Sequence, residues 1–346
     1  MSLFGAILQI LDGLQIDFDE LQLPDGVLDL TKLEHEETKD DDNAPDVRPD
    51  EVADSERGQL YQLGRHFLYC GDSTSAEDMA ALMQGTRADL IVTDPPYNVD
   101  YESKEKLLSN FKPNARVKNG ENDGIENDAK TDEQFIEFLT SAFNTMFAQL
   151  KAGGAFYIWY AQLKGGLFET SLKNAGGKIR QYIIWVKNHF SLGMTDYQWR
   201  HEPCLYGWKN GASHYWDGRR DLTTVFDEKP NYKKMSKEEL LKEIAKLRGD
   251  NMPNTVIYED KPARNEEHPT MKPVKLFERL IKNSSKKDDA VLDPFGGSGT
   301  TIIACEKLGR TAYVMELDPH YCDVIRKRWT KWAQENGRKV GSGGLE

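Results

Sequence analysis

VLDPFGGSGTTIIACEKLGRTAYVMEL, residues 291–317, is the stretch whose reading decides the fold. VLDPF (291–295) is an apolar run that reads as a buried strand. GSGTTIIACEKLG (297–309) reads as a helix opened by glycines, and TAYVMEL (311–317) as a second buried strand. Two buried strands around one helix make a βαβ unit with a parallel sheet. Glycines at the end of the first strand let the backbone approach a ligand, and the helix N-terminus presents spare N–H donors. Glu316 closes the second strand, 23 residues after Asp293, where an acid reaches ribose hydroxyls in nucleotide-binding sheets. The dehydrogenase order G-x-G-x-x-G is absent, and so is the Gly-Lys-Ser/Thr of a phosphate loop. The pattern therefore points to a nucleoside-bearing cofactor held without a Rossmann fingerprint.

A second βαβ unit lies far upstream. HFLYCGD (66–72) is a buried strand and SAEDMAALMQG (75–85) a helix, with Ser73 or Ser75 as N-cap and Gly85 as C-cap. ADLIVTD (88–94) is another buried strand, and Asp94-Pro95-Pro96-Tyr97 follows at its end. That tetrapeptide suits a specific task. The exocyclic amine of a nucleobase is a poor nucleophile, because its lone pair is conjugated into the ring. Two acceptors aimed at its N–H groups favour a pyramidal nitrogen, and the Asp94 carboxylate and the Pro95 carbonyl supply them. Pro95 and Pro96 fix φ and remove competing donors, which presets the carbonyl direction. Tyr97 offers a face for a base turned out of a duplex. The rival reading is a plain Pro-Pro turn.

The rest of the chain organises around these units. Residues 98–130 form a long polar loop directly after a strand end, a length that is usually functional or disordered in a compact domain. A helix (132–150), a strand after Gly153-Gly154, a helix near 163–175 and a strand (181–187) follow. Residues 188–220 are rich in Trp, Tyr, His and Arg. MSKEELLKEIAKLRG (235–249) reads as a capped, solvated helix. Residues 319–336 read as a long helix, and the terminal GSGGLE as flexible tail.

The net charge of -12 is unevenly spread. Residues 1–56 hold 17 Asp and Glu against 3 Lys and Arg, which leaves 40 against 42 for the remainder. The catalytic part is thus near neutral and can carry local basic patches. The acidic segment reads as a solvated linker, with a regulatory phosphate mimic as the sharper alternative. The apolar N-terminal residues suit a helix or an extended arm that docks on the body or on a second subunit. No apolar run reaches the ~20 residues that span a bilayer. The four cysteines are scattered and form no CxxC pair, which fits a reducing cytoplasm. No histidine spacing suggests a metal site.

DPPY (94–97), HPTMKP (268–273) and DPFGGSGTT (293–301), in that order, resemble the β-group of DNA amino-methyltransferases, the N6-adenine and N4-cytosine enzymes. The resemblance spans residues 58–336. It implies an α/β, Rossmann-like class I S-adenosylmethionine-dependent methyltransferase sheet, circularly permuted so that the catalytic half comes first, with an inserted target-recognition region. The implied layout is an acidic arm (1–57), a catalytic half (58–187), a recognition region (188–265), a cofactor half (266–338) and a flexible tail (339–346). By the same resemblance, Asp94, Pro95, Pro96 and Tyr97 are the catalytic tetrapeptide. Asp293, Phe295, Gly296, Gly297, Ser298, Gly299 and Thr300 wrap the methionine part of S-adenosylmethionine, and Glu316 holds its ribose. Asp72, with Ser73, meets its adenine amine, and Lys272, with Thr270, closes over its methionine end. Asp at the first position of the tetrapeptide points to adenine N6 in double-stranded DNA, with cytosine N4 as the alternative. A bacterial or phage restriction-modification enzyme is the implied setting.

Competing readings are weaker. A C5-cytosine enzyme would use Cys204 as nucleophile, but Cys204 lies in the aromatic segment and leaves DPPY unexplained. A dehydrogenase lacks its fingerprint. A non-catalytic DNA-binding relative sits poorly with the intact Asp94 and glycine-rich turn. An RNA or protein-amide methyltransferase stays open, although the basic loop and the aromatic-basic segment favour a long polyanion.

Overall fold

The computed structural model describes residues 41–47, 51–98, 130–191, 197, 199–220, 222–227 and 271–345. The loop interior, the helix expected at 235–249, the segment His268–Thr270 and most of the N-terminal arm lie outside the described residues.

Strands β1 (Leu60–Leu63), β2 (His66–Cys70), β3 (Ala88–Thr93), β4 (Leu150–Trp159), β5 (Ile179–Ser191), β6 (Trp199–Trp208), β7 (Val225–Asp227), β8 (Ala290–Asp293) and β9 (Thr311–Glu316) form one sheet in the order β1-β2-β9-β8-β3-β4-β6-β5-β7. The run β2-β9-β8-β3-β4 is parallel, and β6 pairs antiparallel with both β4 and β5. This is the doubly wound, permuted arrangement expected from the sequence. The last two strands in the chain, β8 and β9, sit inside the sheet between β3 and β2. Strand order reverses between β8 and β3, whose parallel register pairs Leu90 with Val291 and Ile91 with Leu292. A crevice opens at such a switch point, beyond the carboxyl ends of the strands.

Helices cover both faces. On one side lie α1 (Ala76–Met83), α2 (Asp132–Gln149) and α3 (Gly165–Asn174), which bury Met79, Leu82, Phe135, Leu139, Phe143 and Phe168. On the other lie α4 (Val274–Ser284), α5 (Thr300–Leu308) and α6 (Pro319–Glu335), which bury Phe277, Leu280, Ile302, Ile303, Ile325 and Trp329. Local chemistry sets the ends. Ser75 caps α1 by accepting from the Asp78 N–H. The C-cap is Gln84 in a left-handed conformation, one residue before the expected Gly85. Thr131 and Gln134 close a reciprocal capping box on α2.

Two expectations change. Residues 199–208 were read as part of the inserted recognition region, yet β6 is an internal strand of the sheet, with Cys204 and Leu205 fully buried. Its aromatic and basic residues masked a continuous buried run from Pro203 to Gly207. The terminal residues were read as flexible, but they pack against β1 and α6. The Val340 carbonyl accepts from Gly64 N–H (2.8 Å) and from the Trp329 indole (2.7 Å). Gly343 N–H donates to Gln62, and its carbonyl accepts from Arg326. Glycine lets this strand of backbone lie close enough to donate and accept.

Candidate active site

At the switch point the turns after β2, β3, β8 and β9 surround a cavity of about 710 Å³. Asp72, Ser73, Asp94, Pro95, Pro96, Tyr97, Lys272, Asp293, Phe295, Gly296, Gly297, Ser298, Thr300 and Glu316 all line it. Gly299 does not. It adopts φ 81° where the turn enters α5, and a side chain there would meet Ile325 at 2.9 Å. Thr270 lies outside the described residues.

The glycine-rich turn is tightly specified. A Cβ on Gly296 would stand 2.5 Å from Val314, so the chain passes against β9 with no room for a side chain. Gly296 N–H donates to the Met315 carbonyl (2.7 Å). Glu316 accepts from Gly297 N–H (2.8 Å) and Asp318 N–H (3.1 Å). Burial pushes its carboxyl up to about 7, against the lowering effect of those N–H groups. Arg328 on α6, which sequence reading missed, donates to the Ser298 carbonyl (2.9 Å), its hydroxyl (3.0 Å) and Thr300 Oγ1 (3.3 Å). It pins the outer arm of the turn.

Asp293 ends β8 and is buried. Its Oδ1 accepts from Thr93 Oγ1 (2.8 Å) and Phe295 N–H (3.2 Å), and Oδ2 from Thr301 Oγ1 (2.5 Å). Burial drives its carboxyl up to about 7 despite these donors. Asp293 is thus a knot of three hydrogen bonds, and the Thr93 bond ties β8 to β3.

Asp94, on the next strand, is 27% exposed and faces the cavity. The Tyr97 hydroxyl donates to its Oδ1 (2.6 Å), and the Lys272 ammonium to its Oδ2. Burial raises the Asp94 carboxyl, Lys272 lowers it, and Glu202 raises it again; the net shift is upward. Asn98, at φ 52°, grips both backbone groups of Lys130 at 2.8 Å and joins the two ends of the long loop.

Lys272, expected to close over the methionine end of the cofactor, lines the cavity, and its ammonium meets Asp94, the Tyr97 hydroxyl (2.9 Å) and Glu202 (3.1 Å). Glu202, also missed from sequence, pairs with Lys187 through its other oxygen. Its signal was present: Glu202, Cys204 and Tyr206 alternate on one face of β6. Cys204 is fully buried, and burial pushes its thiol far up, which does not suit a nucleophilic thiolate. Of the aromatic residues in this segment, Tyr206 is buried and Trp208 stacks on His214 at 3.8 Å, whereas Tyr197 and Trp199 are exposed.

The cavity suits S-adenosylmethionine. Its volume falls in the range of cofactor pockets. At Gly297 a Cβ would meet nothing within 4 Å, so that side of the turn faces open space. The contacts of Glu316 named above are both backbone N–H groups, and a carboxylate so placed takes ribose hydroxyls as further donors.

Residues 88–327 match the N6/N4 family model described as DNA methylase. The chain is 26% identical over 247 residues to the Type II methyltransferase M.HpaI of Haemophilus parainfluenzae, covering 69% of this chain and 67% of that protein. It is 27% identical over 252 residues to the Type II methyltransferase M2.DpnII of Streptococcus pneumoniae, covering 71% and 84%. Among solved structures it resembles the M1.HpyAVI–SAM complex, at 22% identity and a TM-score of 0.46, over 75% of this chain and 97% of that one. The match to the family model takes in both Asp94–Tyr97 and the glycine-rich turn after β8: the chain belongs to the N6/N4 DNA methylase family.

Proposed function

We propose that this methyltransferase modifies the exocyclic N6 of an adenine turned out of double-stranded DNA, at a specific sequence. The observation that carries the reading is the placement of Asp94. Its carboxylate opens into the same cavity as the glycine-rich turn and Glu316, on the strand adjacent to that turn. The choice of adenine rests on Asp at the first position of the tetrapeptide, and cytosine N4 is the alternative. Target recognition falls to the part of 188–265 outside the internal strand β6, where Tyr197 and Tyr215 are exposed aromatics among the described residues.

When bound, S-adenosylmethionine supplies an electrophilic methyl group on a sulfonium. The chain's own residues do the rest. The Gly296–Thr300 turn and Glu316 hold the methionine and ribose ends. Asp94 and the Pro95 carbonyl accept the N–H groups of the target amine and localise its lone pair. Tyr97 and Lys272 fix the Asp94 carboxylate, so little reorganisation is left for the reacting state. No covalent link to the enzyme is needed: the methyl group would pass from the sulfonium to the nitrogen as the S–CH3 bond breaks to leave a neutral thioether, and Asp94 would take up the proton the amine releases.

Asp94→Ala should keep cofactor binding by calorimetry and lower the single-turnover rate by at least about 100-fold. Wild-type-like methylation by that variant defeats the reading. Methylation-aware sequencing of DNA from expressing cells distinguishes adenine from cytosine and gives the sequence context.

A further inference from the structure

The row of charges beside Asp94 runs well past the tetrapeptide. An ammonium has three N–H donors. Lys272, only 3% exposed, donates to Asp94 and to the Tyr97 hydroxyl and pairs as a charge with Glu202 at 3.1 Å. The ring of Trp159 lies 5.3 Å from the same nitrogen and closes off another side. Glu202 reaches Lys272 with Oε2 and Lys187, on β5, with Oε1. Four charges therefore alternate in a row, Lys187–Glu202–Lys272–Asp94, and sum to zero. A lysine anchored between two carboxylates, on β6 and after β3, is committed to this row rather than to the far end of a cofactor.

We propose that Glu202 is a positioning residue for methyl transfer: by sharing the Lys272 ammonium, it limits the positive charge that reaches Asp94 and keeps that carboxylate a strong acceptor for the target amine. The inference rests on the reading of Asp94 as the amine acceptor. If Asp94 faced Lys272 alone, a full buried cation would occupy its lone pairs, and it would compete poorly for the amine. With Glu202 pulling from the opposite side, and itself held by Lys187, the ammonium is divided.

Other groups face Asp94 as well: Tyr97 on its own turn, Cys204 on β6 and Asp293 on β8. Burial pushes Asp94 up, Lys272 pulls it down and Glu202 pushes it up. For Glu202, burial also acts upward, but Lys272 and Lys187 overrule it and bring the carboxyl down to about 2, so it stays ionised at working pH.

The test is the pH dependence of the single-turnover methylation rate on duplex DNA. Glu202→Gln keeps the shape and removes the charge. Asp94 then has the ammonium to itself. The acid limb of the profile should move down by about one pH unit, and the plateau rate should fall about tenfold. Cofactor affinity and the KM for DNA should stay within about twofold, because Glu202 does not line the cavity. Lys187→Met, at the far end of the row, should move the limb the opposite way, because an unshared Glu202 draws Lys272 from Asp94. This second variant also serves if Glu202→Gln does not fold. A merely structural role lowers the rate and leaves both limbs in place, and that result overturns the proposal. A wild-type chain that does not methylate DNA, or an Asp94→Ala variant that does, would instead defeat the reading beneath it.

Discussion

Thr93→Val probes the bond that joins the two halves of the site. Thr93 is fully buried, and its hydroxyl donates to Asp293 Oδ1 at 2.8 Å across the β3–β8 boundary. Valine keeps the shape and removes the donor. The cost depends on the charge of Asp293, whose carboxyl burial moves from 3.8 to about 7. The folded chain therefore holds this proton more tightly than the unfolded chain does. The stability it contributes is full below about pH 4 and is lost as pH rises through about 7. At pH 8.5 Asp293 is ionised in the folded state, and losing a charge-assisted bond costs about 2 kcal/mol. At pH 5.5 it is protonated, and losing a neutral bond costs about 1 kcal/mol. For a chain of this size those losses lower the thermal midpoint by roughly 4 °C and roughly 2 °C respectively. Calorimetric scans of the cofactor-free protein at the two pH values read the difference directly. An equal drop at both, or none at either, refutes the view that a titrating Asp293 ties β3 to β8.

The cofactor side yields two more expectations. Arg328→Met should leave the fold intact and weaken S-adenosylmethionine binding by about tenfold or more, because three contacts to Ser298 and Thr300 are lost; unchanged affinity by calorimetry would mean the turn holds itself. Glu316 accepts ribose hydroxyls only weakly once protonated, and burial sets its carboxyl at about 7. The dissociation constant of S-adenosylmethionine should therefore rise as pH falls from 8 to 6, by about tenfold per unit at most, and Glu316→Gln should bind weakly with a flat profile. A sloping profile in that variant would assign the proton elsewhere.

What sequence revealed and what it hid divide along a physical line. Strands β2, β3, β8 and β9 were legible because both faces are buried, so each reads as an unbroken apolar run closed by a turn. The family resemblance implied the permuted order, and the four strands are compatible with it as one sheet. Pairings across long separations were not legible. Lys272 and Asp94 are 178 residues apart, and no local pattern tells a lysine after Met271 whether its ammonium meets a cofactor or a carboxylate. Arg328 shows the same limit. It follows Ile325 and precedes Trp329 and Trp332 on the buried side of α6, and helical spacing alone could have placed it inward. β6 was hidden for a different reason. Its aromatic and basic residues suggested a DNA surface, while the buried run from Pro203 to Gly207 carried the strand.

The site has two separate links between its halves, and together they explain how a permuted chain keeps a precise geometry. One is the Thr93–Asp293 bond between the central strands, 200 residues apart in sequence. The other runs through Lys272. Its carbonyl accepts from Thr300 Oγ1 at 3.4 Å on the cofactor turn, and its side chain holds Asp94 and Tyr97 on the catalytic turn. Arg328 grips the same Thr300 hydroxyl from α6. A shift of the glycine-rich turn therefore reaches Asp94 by two routes, one through the strands and one through the segment that precedes α4. Neither route depends on the order in which the chain visits the strands. Away from both links, β1 and the end of α6 are joined through Val340, whose carbonyl accepts from Gly64 N–H and the Trp329 indole.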